Sequence, residues 1–173
     1  MNRVDYILER VHGKVLHVGA STGPLHEVVK SRSERLYGLD LEPREGDPDV
    51  FQGDVQDASH PVFEEHFDVI LLGEVIEHLL EPAQALRNCA GSCDRIIVTT
   101  PNPRARTMRW REGLDHMCYW TPLAIRNFLA GVGMEAEAVT LLPYERTGKR
   151  LVWLRNLISR DQSLCVTAHP EGP

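Results

Sequence analysis

Lys14-Val15-Leu16-His17-Val18-Gly19-Ala20-Ser21-Thr22-Gly23 is a short apolar alternation that runs directly into a loop flanked by glycines. Such a run reads as the first strand of an open parallel sheet, ending where a ligand can approach the backbone. Gly19 lets the chain turn tightly at the strand tip and Gly23 opens the next helix without a Cβ, so the bare amides between them are the expected ligand seat. The two glycines are four apart with Ser21 between them, which fits neither the GxGxxG dinucleotide fingerprint nor the GxxxxGK[ST] phosphate loop. A tight turn without a ligand is the competing reading of this stretch alone, and the segments around it decide.

Working outward, Val4, Ile7, Leu8 and Val11 recur at helical spacing and predict a short amphipathic helix stopped near Gly13. After Gly23, Pro24 suits a first turn, and Leu25, Val28 and Val29 give the following helix its apolar face. Arg35 to Asp40 reads as a second strand ending in a carboxylate. Asp40 lies 21 residues after Gly19, where an open α/β sheet places an acid that accepts both ribose hydroxyls of an adenosine; Leu41 stands beside it. Val50 to Val55 is a short third strand, with Asp54 placed to accept from the exocyclic amine of adenine and Val55 to offer the ring an apolar edge.

Asp68-Val69-Ile70-Leu71-Leu72-Gly73 is continuously apolar after its first residue, as expected for a central parallel strand covered on both faces. A helix is predicted from Pro82 with Ala83, Ala85, Leu86 and Ala90 inward, a fifth strand over Arg95 to Thr100, and a helix from Pro122 to Gly131 capped by Thr121. Strands over Glu135 to Leu142 and Ser163 to Ala168 bring the total to seven, with an amphipathic helix through Leu151, Leu154, Leu157 and Ile158 between them. Alternating strands and helices predict an α/β fold.

A chain of 173 residues, 42% hydrophobic, suffices for one core and is expected to form a single domain over 1–173. The formal net charge of -6 argues against a general nucleic-acid coat. Its 4 cysteines form no CxxC pair, which points to isolated thiols in a reducing compartment rather than zinc or disulfides. No run reaches membrane-spanning length, and the expected location is the cytoplasm. Arg104, Arg106, Arg109 and Arg111 surround Trp110 in a local basic patch, which serves either as a solvated loop face or as a recogniser of phosphate or carboxylate.

Three pieces occur in order: VLHVGASTG, FDVILLGEVIEHL and DHMCYWTP. On these the sequence resembles the class I S-adenosylmethionine-dependent methyltransferases over nearly its whole length, within the small-molecule group that carries VLDxGxGxG, Phe-Asp-Val followed by Glu-x-x-Glu-His, and a downstream Asp-His element. The resemblance implies a Rossmann-like three-layer sandwich with a seven-stranded, mostly parallel sheet whose last strand is antiparallel. It also implies that S-adenosyl-L-methionine lies across the carboxyl ends of the first strands. Gly19, Ala20, Ser21 and Gly23 would line the methionine and ribose side, Asp40 would hold the ribose hydroxyls, Asp54 the adenine amine, and Gly73, Glu74 and Val75 would border the methionyl tail. Two residues depart from the pattern. His17 stands where the family usually has an acid near the cofactor's ammonium, and Ser21 replaces the middle glycine.

Methyl transfer from a sulfonium needs little covalent help, so few catalytic residues are expected. His116 is the candidate base, with a structural role as the competing account; His78 fits scaffolding better than chemistry. The leading expectation involves no metal. In the alternative, a helical turn puts Glu74, Glu77 and His78 on one face and His116 completes a divalent-cation shell, an arrangement that resembles the small-RNA 3′-terminal 2′-O-methyltransferases. The expected reaction is methylation of a hydroxyl, carboxylate or amine on a small or carrier-bound metabolite, with an anionic acceptor suggested by the basic patch and nucleic acid disfavoured by the net charge. A non-catalytic cofactor-binding partner protein is the reading from a different class.

Overall fold

The structure is a computed structural model that describes residues 1–20, 24–43, 47–105, 116–143 and 163–172. The expected helix through Leu151 to Ile158, the residues Ser21, Gly23 and Asp115, and the basic patch beyond Arg104 lie outside the described residues.

The opening helix α1 spans Arg3–Leu8, three residues short of Val11. Its start is fixed by a reciprocal cap: the Asn2 side chain accepts from the Asp5 amide at 3.0 Å, and the Asp5 carboxylate accepts from the Asn2 amide at 2.9 Å. Six residues cannot hold a helix in water, so α1 depends on burying Tyr6 and Ile7 against the sheet. The Tyr6 hydroxyl lies 2.6 Å from Thr167 Oγ1, and burial raises its pKa.

The strands are β1 (Lys14–Val18), β2 (Arg35–Asp40), β3 (Val50–Gln52), β4 (Phe67–Gly73), β5 (Cys93–Pro101), β6 (Met134–Leu142) and β7 (Ser163–Pro170). They form one sheet in the order β3-β2-β1-β4-β5-β7-β6. The pairs β1 with β2, β1 with β4, β2 with β3 and β4 with β5 are parallel. β7 inserts antiparallel between β5 and β6. The expected seven-stranded α/β sandwich with an antiparallel last strand is thus observed.

Val69, Ile70, Leu71 and Leu72 of β4 are fully buried, because alternate residues enter different cores. Ile70 and Leu72 pack in one core that also holds Leu86 of α3 (Pro82–Ala90) and Ile125 and Leu129 of α4 (Pro122–Gly131). Val69 and Leu71 pack in the other, with Tyr6 and Ile7 of α1 and Leu25 and Val29 of α2 (Leu25–Lys30). Thr121 caps α4 through its side chain, which accepts from the Ala124 amide at 3.2 Å. All four cysteines are free thiols, as expected. Among the described residues, no helix is long and apolar enough to cross a membrane.

Candidate active site

Parallel pairing sets Val18 beside Leu39 and Leu72, and Asp40 beside Gln52, so β1 to β4 all end on one edge of the sheet. The tips that follow are Gly19, Asp40, Gly53-Asp54 and Gly73. Gly19 adopts φ 77, its amide donates to the Leu39 carbonyl at 2.9 Å, and a Cβ there would stand 2.6 Å from Val75 Cγ2. Both the conformation and the close approach require glycine. A Cβ at Gly73 would meet Leu25 Cδ2 at 2.9 Å. Asp40 Oδ1 accepts from the Glu42 amide at 2.9 Å, which fixes the carboxylate at its tip. Asp54 accepts from the Gln56 amide at 2.9 Å and from Gln56 Nε2, while Gln56 Oε1 accepts from the Glu81 amide at 2.6 Å. Ala20 and Val55 are buried beneath this edge and Leu41 is exposed on it. Bare glycine tips and two carboxylates on adjacent strands suit a ribose and an adenine amine.

His17 is 1% exposed and stacks on His26 of α2, with ring centroids 5.4 Å apart and the two Nδ1 atoms at 3.2 Å. Burial, with the His26 ring as the next cause, lowers its pKa to about 3, so it is neutral. His17 Nε2 is buried and, among the described residues, has no hydrogen-bond partner.

The segment after β4 is not the helical turn on which the four-ligand expectation relied. Glu74 takes φ 61, and a single 3-10 turn follows over Ile76–His78. The left-handed residue swings the Glu74 carboxylate toward α1, where Oε1 lies 3.4 Å from Arg3 Nη1 and accepts from Ser163 Oγ at 3.4 Å. The remaining three side chains do converge: one donor atom each from Glu77, His78 and His116 lies within 4.8 Å of the others. The Glu77 carbonyl accepts from the amides of Met117 and Cys118, at 2.7 and 3.1 Å, and so anchors the loop that carries His116. The rings of His78 and His116 meet edge to face at 4.8 Å.

Glu77 is 1% exposed, and among the described residues neither of its carboxylate oxygens has a hydrogen-bond partner in good geometry, the Thr100 side chain being the nearby group that favours its ionised form. Burial first, then the charge of Glu74, raises its pKa to about 8. Two imidazoles and a carboxylate suit a divalent cation, although 4.8 Å is wider than the roughly 4 Å that two ligands at about 2.1 Å from one ion can span, so the group would have to draw inward.

Arg3, His26, Gln56 and Ser163 join this edge without having been foreseen. Two of these are local, a histidine on the buried face of α2 and Gln56 two residues after Asp54, whereas Arg3 and Ser163 reach Glu74 only through the packing of α1 and β7.

A family described as "Methyltransferase domain" matches residues 2–139. A ubiquinone biosynthesis O-methyltransferase of Proteus mirabilis is 31% identical over 103 residues, covering 51% of this chain and 42% of that protein. The chain therefore spans less than half the length of the curated relatives it matches. Among solved structures, a SAM-dependent methyltransferase from Archaeoglobus fulgidus superposes with a TM-score of 0.71 at 16% identity, over 96% of this chain and 90% of that one. The small RNA methyltransferase HEN1 superposes with a TM-score of 0.66 at 17% identity, over 99% of this chain and 25% of that one.

Proposed function

We propose, from the premise that this chain belongs to the methyltransferase-domain family and is a class I S-adenosylmethionine-dependent methyltransferase, that it methylates a hydroxyl of a small acceptor beside Glu77, His78 and His116. The observation that carries this reading is Glu77, a buried acid whose oxygens have no hydrogen-bond partner in good geometry among the described residues, set against two imidazoles beyond the carboxyl end of β4. When bound, S-adenosylmethionine supplies a methyl group activated on a sulfonium, so the methyl–sulfur bond breaks as the methyl–oxygen bond forms.

The protein must then align the acceptor and remove one proton. His116, half-buried and seated against His78, takes the hydroxyl proton at a ring nitrogen, and Glu77, ionised above about pH 8, stabilises the imidazolium that results. The O-methyltransferases among the similar proteins support an oxygen acceptor, and the net charge of -6 favours a metabolite over a nucleic acid. A second reading has its own observation in the three-donor group: Glu77, His78 and His116 would hold a divalent cation, which would polarise the acceptor oxygen and offset the burial of Glu77.

The test is turnover of His116→Ala and His116→Gln against a panel of phenolic and sugar hydroxyl acceptors, with and without EDTA. The base reading expects both variants to lose about a hundredfold while S-adenosylhomocysteine binding persists, and expects no effect of EDTA on the unsubstituted enzyme. Abolition by EDTA selects the cation. Losses below about threefold in both variants, with EDTA inert, would sink both accounts.

A further inference from the structure

The connection from β3 to β4, residues 53–66, carries no α-helix; a single 3-10 turn over Pro61–Glu64 takes its place. A parallel crossover usually lays a helix on the sheet, as α2 and α3 do in the neighbouring connections, so the face of β2 and β3 is left open. The opening is a cavity of about 580 Å³, with Arg35, Tyr37, Asp49, Phe51, Glu65 and Phe67 in its lining and the turn at His60 as its wall. None of the residues assigned above to cofactor or acceptor lines it. Arg35 opens β2 and Asp40 closes it, which at about 3.3 Å per residue sets the far end of the cavity roughly 17 Å from the strand tips.

The floor is aromatic. Tyr37 and Phe51 stack with centroids 5.9 Å apart, Phe67 meets Tyr37 edge on, and Phe51 is 39% exposed. The Arg35 guanidinium lies 4.8 Å from the centre of the Tyr37 ring. Asp49 enters from the neighbouring strand, where its carbonyl accepts from the Gly38 amide at 2.9 Å. Among the described residues neither Arg35 nor Asp49 forms an ion pair, whereas Glu65 is held by Lys14 at 2.5 Å. The wall is fixed, because the His60 ring bridges the Gln52 carbonyl at 3.1 Å and the Val62 amide at 3.2 Å.

A flat ring laid on Tyr37 and Phe51 removes apolar surface from water. An apolar ligand would cover Arg35 and Asp49 without pairing them, and a singly charged one would leave one of them so. A zwitterion satisfies both, with its carboxylate in the guanidinium fork. We propose that this cavity is a further small-molecule site, for an aromatic amino acid whose ring lies on Tyr37 and Phe51 and whose carboxylate and ammonium pair with Arg35 and Asp49. The site is independent of the methyl-transfer centre and of its cofactor.

NMR titration of the 15N-labelled protein with L-tryptophan tests it, beside tryptamine, which lacks the carboxylate, and indole-3-propionate, which lacks the ammonium. L-Tryptophan is expected to shift the amides of residues 35–38, 49–52 and 60–67, saturating by about 10 mM. Each analogue should bind about tenfold more weakly, the worth of one charge-assisted hydrogen bond. Arg35 and Asp49 are exposed, so their substitution leaves the core intact. Arg35→Gln is expected to bind L-tryptophan no better than tryptamine, Asp49→Asn no better than indole-3-propionate, and both to bind S-adenosylhomocysteine as the unsubstituted protein does. The absence of a saturable shift, shifts confined to the strand tips, analogues as tight as L-tryptophan, or variants with unchanged affinity for it overturn the inference. Loss of S-adenosylhomocysteine binding in the variants overturns it as well, since the two sites would then be one. Binding of L-tryptophan by an unsubstituted protein that does not bind S-adenosylhomocysteine supports it, and counts against the cofactor assignment alone.

Discussion

Lowering the pH from 8 to 5 is expected to destabilise this protein by about 2 kcal/mol through His17 alone. The ring is 1% exposed, and its pKa falls from 6.5 to about 3, first because burial disfavours the cation and then because His26 stands against it. Below pH 6.5 the unfolded chain takes up a proton that the folded chain refuses, so the unfolded state gains. At pH 5 the unfolded imidazole is almost wholly protonated and the folded one almost wholly neutral, which by linkage amounts to roughly 2 kcal/mol. The loss grows until the pH reaches about 3, where the folded ring protonates too.

Urea unfolding followed by circular dichroism at both pH values measures it, with His17→Leu as the reference because a leucine carries no proton. Other titrating groups act in both proteins, so the difference between the two pH-dependences isolates His17. The unsubstituted protein should lose about 2 kcal/mol more than the variant, close to 1 M in urea midpoint for a chain of this size. Parallel losses, agreeing within about 0.5 kcal/mol, would mean that His17 is protonated or solvated in the fold, and the reasoning from burial would fail.

Asp40→Ala should weaken S-adenosylhomocysteine by roughly 1.5 to 3 kcal/mol in calorimetry, the worth of hydrogen bonds to a charged group, with an unchanged circular dichroism spectrum. Gly19→Ala must place a Cβ 2.6 Å from Val75 Cγ2 at φ 77, and is expected to lower stability by about 1 to 2 kcal/mol in urea and to weaken cofactor binding as the tip shifts. Tyr6→Phe removes the 2.6 Å contact with Thr167 and leaves that hydroxyl buried, so a loss of about 1 to 2 kcal/mol is expected, accompanied by faster amide exchange in α1.

Periodicity and spacing made most of the elements legible, and the resemblance to the methyltransferases supplied their arrangement in the sheet. The unbroken apolar run of β4 could be satisfied only by cores on both faces, and Thr121 with Pro122 marked a helix start that needs no tertiary partner. The strand tips were legible too, because a parallel sheet sends every carboxyl end to the same edge once the order of strands is known. Tertiary structure decided how the groups at that edge face one another. Whether Glu74 joins Glu77 or Arg3 depends on one left-handed residue, and nothing in the helical spacing of Glu-x-x-Glu-His encodes it. The pairing of His17 with His26 depends on α2 folding back over β1, and that of Ser163 with Glu74 on β7 entering beside β5, 89 residues away in sequence. A sequence displays what each residue prefers on its own turn or strand, whereas burial, orphaned lone pairs and shifted pKa values arise only where distant segments exclude water from each other.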